Sequence, residues 1–422
     1  MALGVSRRTA NGRGPRRTAA GALVALALGC DAGRPAPALV FEPEPRPLTA
    51  AAGRDPSLHV LPSRTVIALA ALAAAGDGYD IGLATSHDGG DTFTAPRTLN
   101  RVAGEVMAHG ESAPVLLVGP REEWYALWAA ASTEGRGLRL ARSDDWGRSF
   151  TAPVAVDTGG DAAMFFHAAI AADGTLIVAW LGHGAHHGGP RGSGVLAIAV
   201  SRDRGETFTG PRTVATGVCA CCRPALHAAA GTWYLAWRDV TEDLVRDVVV
   251  ARSTDGGATW SEPAAVSADG WRLDGCPHSG PALTSSADGL FVAWYSEAEG
   301  AARAYWSVAA DGVRFTPRRD LGAGLLDANH PRLIAADGQV LAVFQARPPD
   351  ERAGWGAPGI YVRALAPGDG NEPAAAVARG AGSAGYPTIA NLGAGRTLVA
   401  WTDTGDSGTR ALVARGRTEN GR

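Results

Sequence analysis

The sequence contains no lysine, no run of like charges and only one apolar stretch that resembles a membrane or signal segment. Its 39 basic residues are all arginine, and 42 acidic residues offset them to a formal net charge of -3. A chain without a basic surface field does not attract nucleic acid, so we expect no nucleic-acid partner. What the sequence does have is a hydrophobic content of 46% over 422 residues, enough for one large core or for two domains.

The apolar stretch covers residues 19–28 and follows an arginine-rich segment. It is too short to cross a bilayer as a mature helix and is typical of an export signal. The run Ala27-Leu28-Gly29-Cys30 resembles a bacterial lipobox, whose cysteine is acylated, with a plain secretory signal as the alternative. We therefore expect an export signal over residues 1–30, a linker over 31–37, and a mature protein in the periplasm or at the cell surface. Its only membrane contact would be a lipid anchor on Cys30.

One eight-residue pattern, Ser-x-Asp-x-Gly-x-Thr/Ser-aromatic, recurs about every 55 residues. It occurs as SHDGGDTF (86–93), SDDWGRSF (143–150), SRDRGETF (201–208) and STDGGATW (253–260). The pattern is typical of a tight turn, because Asp accepts backbone N–H groups and Gly adopts a conformation closed to other residues. It resembles the Asp-box, or BNR repeat, of the sialidase superfamily, and this resemblance implies that the boxes are structural and carry no chemistry.

Each box lies within a longer unit of four short strands. Apolar segments such as LIVAW (176–180) and VVVARS (248–253) alternate with turn signals, as in propeller blades. Seven units begin near Pro56, Pro114, Ala168, Pro224, Pro281, Pro331 and Pro387. We therefore predict an all-β monomer with a single β-propeller of the sialidase type over residues 38–422 and seven four-stranded blades, six blades being the alternative. The segment 38–43 is predicted to complete the last unit, which removes the exposed sheet edges.

The innermost strand of each blade starts near the central channel, so the residues before these starting points should meet in one funnel. The alignment of the seven units brings together Arg54, Glu111, His167, Cys222 with Arg223, His278, His330 and Tyr386. So polar a ring at strand starts indicates a binding site.

Three segments resemble those that supply the arginine triad of sialidases, which holds the carboxylate of the substrate. GRDPSL (53–58) is similar to the Arg-Ile-Pro motif, with Asp55 in place of isoleucine, and implies Arg54 as the first member. WRDVTEDLVRDVVVARSTDGGATW (237–260) implies Arg238, and FQARPPDERAG (344–354) implies Arg347 or, less well, Arg352. Guanidinium groups suit this task because they bind carboxylates through two parallel hydrogen bonds.

The same resemblance implies a nucleophile and an acid/base. GYPTI (385–389) resembles the segment of the tyrosine nucleophile, which implies Tyr386, and the polar loop before the first box offers Asp77 or Asp80 as acid/base. A carboxylate nucleophile would be repelled by the substrate's carboxylate, so sialidases depart from the two-carboxylate scheme of other glycosidases. A tyrosine with a pKa of about 10 needs a base, which is a glutamate in the family.

The sequence departs from the family at the position of that glutamate. By order along the chain the glutamate should open the fourth unit, where this sequence has Cys219, Cys221, Cys222 and Arg223. Glu111 and Glu242 are other carboxylates, but neither occupies the family position.

The cysteines allow two interpretations. With Cys30 acylated, an exported protein favours disulfides among the remaining four, and Cys219 and Cys276 lie at equivalent places in adjacent units, so a Cys219–Cys276 bridge is one prediction. The alternative is a copper(I) or zinc site made of Cys221, Cys222, Cys276 and His278, with or without His330. The His cluster at 183–188 is predicted to be a solvated loop.

Three functions follow from these observations. The first is a sialidase-like exo-glycosidase without a cofactor, in which Tyr386 attacks the anomeric carbon, Asp77 or Asp80 protonates the leaving oxygen, and Arg54, Arg238 and Arg347 hold the carboxylate. The second is a non-catalytic propeller that binds an acidic sugar, another glycan or a protein. The third is a metal-binding or redox propeller that uses the Cys/His ring.

Overall fold

The structure is a computed structural model that describes residues 38–74, 76, 78–132, 135–157, 164–182, 194–349, 358–368, 373–378 and 382–419. The chain opens with two short strands, β1 (Ala38–Phe41) and β2 (Arg46–Pro47). Blade 1 then consists of β3 (Gly53–Val60), β4 (Val66–Ala73), β5 (Tyr79–Ser86) and β6 (Arg97–Thr98). A strand β7 (Val106–Met107) and one turn of 3-10 helix (Gly110–Ser112) lead to the next blade.

The following blades repeat this arrangement. Blade 2 consists of β8 (Val115–Val118), β9 (Trp124–Ser132), β10 (Gly135–Ser143) and β11 (Val154–Ala155). Blade 3 consists of β12 (Met164–Ile170), β13 (Leu176–Gly182), β14 (Gly194–Ser201) and β15 (Arg212–Val218). Blade 4 consists of β16 (Ala225–Ala229), β17 (Thr232–Arg238), β18 (Val248–Ser253) and β19 (Ala264–Ala265).

The last three blades complete the ring. Blade 5 consists of β20 (Ala282–Ser286), β21 (Gly289–Ser296), β22 (Arg303–Ala309) and β23 (Arg319–Asp320). Blade 6 consists of β24 (Leu326–Ala336), β25 (Gln339–Arg347), β26 (Gly359–Leu365) and β27 (Ala375–Ala378). Blade 7 consists of β28 (Ser383–Gly393), β29 (Arg396–Gly405) and β30 (Gly408–Glu419), with β1 as its fourth strand.

The count of seven blades is confirmed, and the six-bladed alternative is wrong. Strand β1 pairs with β30 in antiparallel register, from Ala38 opposite Glu419 to Phe41 opposite Gly416. The two ends of the described chain thus form one sheet, as predicted, and this pairing covers the outer edge of β30. Blades 1 and 2 are also joined, because β7 pairs with both β5 and β9.

The second strand of each blade forms most of the core, because the neighbouring blades cover both of its faces. In β4 every residue except Ala73 is buried, and β13 is buried except at Gly182. The core lies between blades: Ile177 of blade 3 packs in one cluster with Leu235 and Trp237 of blade 4. Burial on both faces explains why these segments are continuous apolar runs and do not alternate.

The four boxes fasten the turns that follow the third strands of blades 1 to 4. In the first box the Ser86 hydroxyl accepts the Gly90 N–H at 2.8 Å, and the Asp88 carboxylate accepts the N–H and the hydroxyl of Thr92 at 2.9 and 2.6 Å. Gly90 has a φ of 87°, which the turn requires. Corresponding bonds recur in the other three boxes. The boxes lie on the surface and away from the axis.

In the described part of the chain, no helix has the length and apolar composition that crossing a bilayer requires.

Candidate ligand site at the propeller axis

Several inner strands have a β-bulge near their start, where one residue with a positive φ interrupts the pairing with the next strand. Register shifts interrupt β3, β24 and β28 near their starts. Within them Asp55, His330 and Tyr386 have φ values of 52°, 49° and 51°, and each directly precedes a proline. Non-glycine residues rarely adopt this region, and such strain persists only where surrounding contacts impose it. The three positions therefore mark the axis as a candidate functional site.

The carboxylate of Glu111 is the centre of the contacts at the axis. His330 Nδ1 donates to Glu111 Oε1 at 2.8 Å, and the Gly280 N–H donates to Oε2 at 3.0 Å. Arg223 Nε lies 3.6 Å from Oε2, and Arg332 Nη1 lies 4.0 Å from Oε1. One side chain from the segment before blade 2 thus connects to blades 4, 5 and 6 across the channel.

The electrostatic surroundings of Glu111 keep it ionised. Burial alone would raise its pKa, but the hydrogen bond from His330 and the charges of Arg332 and Arg223 outweigh that effect and lower the pKa to about 2. Gly280 is needed for this arrangement, because a Cβ there would lie 2.3 Å from the Arg223 carbonyl oxygen and 2.9 Å from Glu111 Oε2. Glu111 is therefore a charged group with occupied oxygens, which suits an anchor better than a proton acceptor.

A second buried carboxylate, Asp55, holds Arg54 in place. Arg54 Nε donates to Asp55 Oδ2 at 2.9 Å, and the Gly110 N–H donates to the same oxygen at 3.1 Å. The Thr402 hydroxyl accepts the Asp55 N–H at 2.9 Å and donates to Oδ1 at 3.3 Å. Burial raises the pKa of Asp55 although Arg54 favours the charged form. The residue that replaces the family's isoleucine thus connects blade 1 to blade 7 and orients Arg54.

Tyr386 lies against these two groups. Its ring rests on Gly110, where a Cβ would lie 2.3 Å from ring carbons, and its centroid is 4.5 Å from that of the His330 imidazole. Burial raises the pKa of Tyr386, and the negative charges of Glu111 and Asp55 raise it further. The phenol is therefore protonated at neutral pH, and the site as it stands does not activate it as a nucleophile.

His167 is held as a neutral acceptor at the same level. The Leu226 N–H donates to His167 Nδ1 at 3.1 Å. Burial and the charges of Arg223 and Arg332 lower the pKa of His167 well below its usual value. Together with Tyr386 these groups line an axial cavity of about 190 Å³.

The charges at the axis differ in their access to solvent. The side chains of Asp55 and Glu111 are 0% and 1% exposed, whereas those of Arg54 and Arg332 are 23% and 22% exposed. His330 keeps 12% of its surface, and Tyr386 is half-buried. A ligand entering the axis therefore meets guanidinium, imidazole and phenol groups, with both carboxylates behind them.

The other two predicted clamp arginines have different surroundings. Arg238 is fully buried and donates to the carbonyl oxygens of Arg246 at 2.7 Å and Tyr295 at 2.7 Å, while its guanidinium lies 5.1 Å from the centre of the Trp271 ring. Arg347 is one third exposed, and its Nη1 lies 3.6 Å from the carboxylate of Asp327. The guanidinium of Arg238 thus donates its hydrogen bonds to backbone carbonyls. Arg347 is the last residue of β25.

Several predicted residues lie outside the described part of the chain, or are bound to other groups within it. Asp77, Arg352, Cys30 and the His cluster at 183–188 belong to the first group. Asp80 belongs to the second, since its Oδ1 accepts the Asn100 side-chain amide at 2.8 Å and the Gly104 N–H at 2.9 Å. Asp80 therefore fastens a loop of blade 1 in this structure.

Three thiols gather beside Arg223 and form what we name the thiol cluster: Cys219, Cys221 and Cys222. Cys219 Sγ lies 3.5 Å from Cys221 Sγ and 3.6 Å from Cys222 Sγ, and all three residues are buried. These three thiols and that of the exposed Cys276 are free, so the structure contains no Cys219–Cys276 bridge. Hydrogen bonds from Cys221, Cys222 and Cys276 lower the pKa of Cys219.

The composition of this cluster differs from the predicted metal set. Cys219 belongs to it, whereas no ring nitrogen of His278 does, and His278 Nδ1 donates to the Cys276 carbonyl oxygen at 2.9 Å. His330 is engaged by Glu111. Sequence reasoning also missed Arg332 and Arg246, although Arg332 follows the predicted His330 by only two positions and both adjoin Glu111.

Comparisons with known proteins agree with this architecture. A family model described as the BNR repeat-like domain matches residues 77–340, which is more than half of the chain. A protein of unknown function from Dyadobacter fermentans DSM 18053 has 15% identity and a TM-score of 0.52, the match covering 90% of this chain and 99% of that one. The Hadza microbial sialidase Hz136 has 17% identity and a TM-score of 0.52, covering 89% and 68%. At these identities the likeness concerns the fold. No curated protein matches the chain in sequence.

Proposed function

The chain belongs to the BNR repeat-like domain family, and on that premise we propose that its axial site binds an acidic sugar through the guanidinium groups of Arg54 and Arg332. The observation that carries this proposal is the order of charges at the axis. The arginines keep about a fifth of their surface while both carboxylates are buried behind them. A carboxylate on the ligand would meet charge-assisted donors, and the carboxylates of Asp55 and Glu111 would lie behind them.

The shape of the site favours a sugar acid over a simple anion. The ring of Tyr386 is half-buried, and the positive charges of Arg54 and Arg332 both act on its phenol. An aromatic face beside guanidinium groups suits a pyranose ring that carries a carboxylate. Since Hz136 is named a sialidase, sialic acid is the first ligand to test.

Hydrolysis is the second candidate, and the nearness of Tyr386 to Glu111 favours it. Turnover would require a base that takes the phenolic proton of Tyr386 while the phenolic oxygen attacks the anomeric carbon. Glu111 already accepts hydrogen bonds at both oxygens, from His330 and Gly280, and its pKa is about 2. We therefore propose that binding is the primary activity, and that the acid/base role of Asp77 or Asp80 and the clamp roles of Arg238 and Arg347 apply only if the protein is a hydrolase.

The first experiment measures the binding of N-acetylneuraminic acid by calorimetry, with galactose as the neutral control. Arg54→Met and Arg332→Met are compared with Arg314→Met, whose side chain is 91% exposed, after melting temperatures have shown that all three variants fold. We expect binding of the acidic sugar alone, weakened about tenfold or more by each of the first two changes. Absence of binding, or equal affinity in all variants, would contradict the proposal.

The same preparations separate binding from hydrolysis. Incubation with a fluorogenic aryl sialoside is expected to give no turnover. Turnover that disappears in Tyr386→Phe would instead establish the hydrolytic candidate with a tyrosine nucleophile.

We also propose that the protein is exported and anchored through lipid on Cys30. The arginine-rich segment, the apolar residues 19–28 and Ala27-Leu28-Gly29-Cys30 support this. Metabolic labelling with a radioactive fatty acid should mark the native chain and not Cys30→Ser. Equal labelling of both would contradict the anchor.

A further inference from the structure

The thiol cluster has a charge environment that ordinary packing does not explain. Two buried arginines adjoin it: Arg246 Nη1 lies 3.2 Å from Cys219 Sγ, and the positive charge of Arg238 acts on Cys219 and Cys222. They are 4% and 1% exposed. Within the described residues neither arginine forms an ion pair with a carboxylate, since their side-chain partners are backbone carbonyls and the Cys219 sulfur.

Burying a cation without a counter-charge costs folding free energy. The two arginines would therefore be stabilised by negative charge that the described residues around them do not supply. The Nε of Arg238 is also buried and has no hydrogen-bond partner among the described residues. A disulfide would be neutral and would leave both arginines uncompensated. Thiolates would supply the missing charge, and a metal ion is what holds several thiolates together at close range.

The sulfur positions fit such an ion. Four sulfurs around zinc at 2.3 Å in a tetrahedron lie ~3.8 Å from one another. The separations of 3.5 and 3.6 Å within the thiol cluster come within about 0.3 Å of that value. The sulfur of Cys276 lies outside the group of three, but its thiol interacts with those of Cys219 and Cys221, and its exposure gives an ion a path inward. We therefore take Cys276 as the fourth ligand, which binding of an ion would draw towards the other three.

We propose that Cys219, Cys221, Cys222 and Cys276 bind one thiophilic metal ion, zinc(II) or copper(I), with Arg238 and Arg246 as the buried counter-charges. Four thiolates and one zinc(II) carry two negative charges, which the two arginines neutralise. The site joins the segment that leads into blade 4 to the one that leads into blade 5. It is independent of the axial ligand, so failure of sugar binding would leave it standing.

The test uses the full chain in a Cys30→Ser background, so that only these four cysteines remain. Reduced, metal-free protein is mixed with zinc(II) or, anaerobically, with copper(I), freed of unbound ion and analysed for metal and for reactive thiols. We expect one ion per chain and loss of thiol reactivity. Four thiols that stay reactive with no ion retained, or an oxidised pair that forms in preference to metal binding, would overturn the proposal.

Two sets of variants show whether the ion occupies this site. Cys276→Ser changes an exposed ligand and should leave the fold intact. It should lower the affinity at least tenfold and weaken the thiolate charge-transfer absorption of the cobalt(II)-substituted protein. Arg246→Met should lower affinity by about 10- to 100-fold, whereas the exposed Arg252→Met should not. Equal affinity in Arg246→Met and Arg252→Met would contradict the role of the buried counter-charges, and unchanged cobalt spectra in Cys276→Ser would place the ion elsewhere.

Discussion

The Glu111 contacts and the thiol cluster lie at neighbouring strand starts of one propeller and share Arg223 as a neighbour, yet their charges are arranged oppositely. Around Glu111, the buried Arg223 has a carboxylate as its counter-charge, and the less buried Arg332 and His330 adjoin the same carboxylate. Around the thiols, two buried arginines have no carboxylate partner among the described residues. A balanced buried network stabilises one arrangement of the chain, whereas an unbalanced one indicates that a ligand supplies what is missing.

The largest expected effect comes from breaking the balanced network. Glu111→Ala leaves the buried Arg223 without its counter-charge and should lower the free energy of unfolding by about 3–5 kcal/mol. Chemical denaturation of the variant beside the exposed Glu242→Ala measures this difference. A loss no greater than that of the control would mean that the network contributes no stability.

Acid should remove the same contribution without mutation. The pKa of Glu111 in the folded protein, about 2, lies below its ordinary value of 4.5. Glu111 therefore contributes stability that is fully present above pH 4.5 and is lost as the pH falls through 2. Unfolding curves of the native chain and Glu111→Gln should diverge above pH 4.5 and converge towards pH 2, while the Asp-box carboxylates affect both equally. A difference independent of pH would contradict this assignment.

At the thiol cluster, in contrast to Glu111, removal of one charged side chain should cost little stability while no metal is bound. In the metal-free, reduced protein, Arg246→Met removes an uncompensated cation and should change the free energy of unfolding by less than ~1 kcal/mol. In the metal-loaded protein the same change should be clearly destabilising. Melting temperatures of both forms, beside Arg252→Met, test this, and a large loss in the metal-free form would show that Arg246 is already balanced.

The smallest effect is expected from Tyr386, which lies beside the Glu111 contacts. Tyr386→Phe keeps the ring on Gly110 and should change stability by less than about 0.5 kcal/mol. Because the phenol stays protonated, sugar affinity should also change little if the ring supplies only a stacking face. Calorimetry on this variant checks both statements, and a lost affinity would assign the hydroxyl a direct contact with the ligand.

The parts of the fold that depend on local signals could be predicted from the sequence. The boxes, the apolar second strands and the seven inner-strand starts are each encoded within a few residues, and the pairing of 38–41 with β30 followed from counting strands. The axis could be located for the same reason, since Arg54, His330 and Tyr386 lie in the first residues of inner strands and Glu111 lies just before one.

The contacts at the axis join residues that are far apart in the sequence, so they could not be predicted from it. Glu111 is bound by Gly280 and His330, which are 169 and 219 residues away, and no local pattern shows which carboxylate occupies the centre. Side-chain direction was equally hidden, because the sequence did not show that the Cys219 sulfur would lie with those of Cys221 and Cys222, or that His278 Nδ1 would donate to a backbone carbonyl.

The pairing of β1 with β30 also governs when the site can exist. Blade 7 carries Tyr386 and Thr402, and its sheet joins residue 38 to residue 419. A contact between such remote positions carries a loop-closure cost of about 5 kcal/mol plus a constant, and a ribosome releases the second partner long after the first. Until then β30 has an open edge and the axis lacks one wall. Closure is therefore expected to be a late and slow step of folding, and the ligand site forms with it.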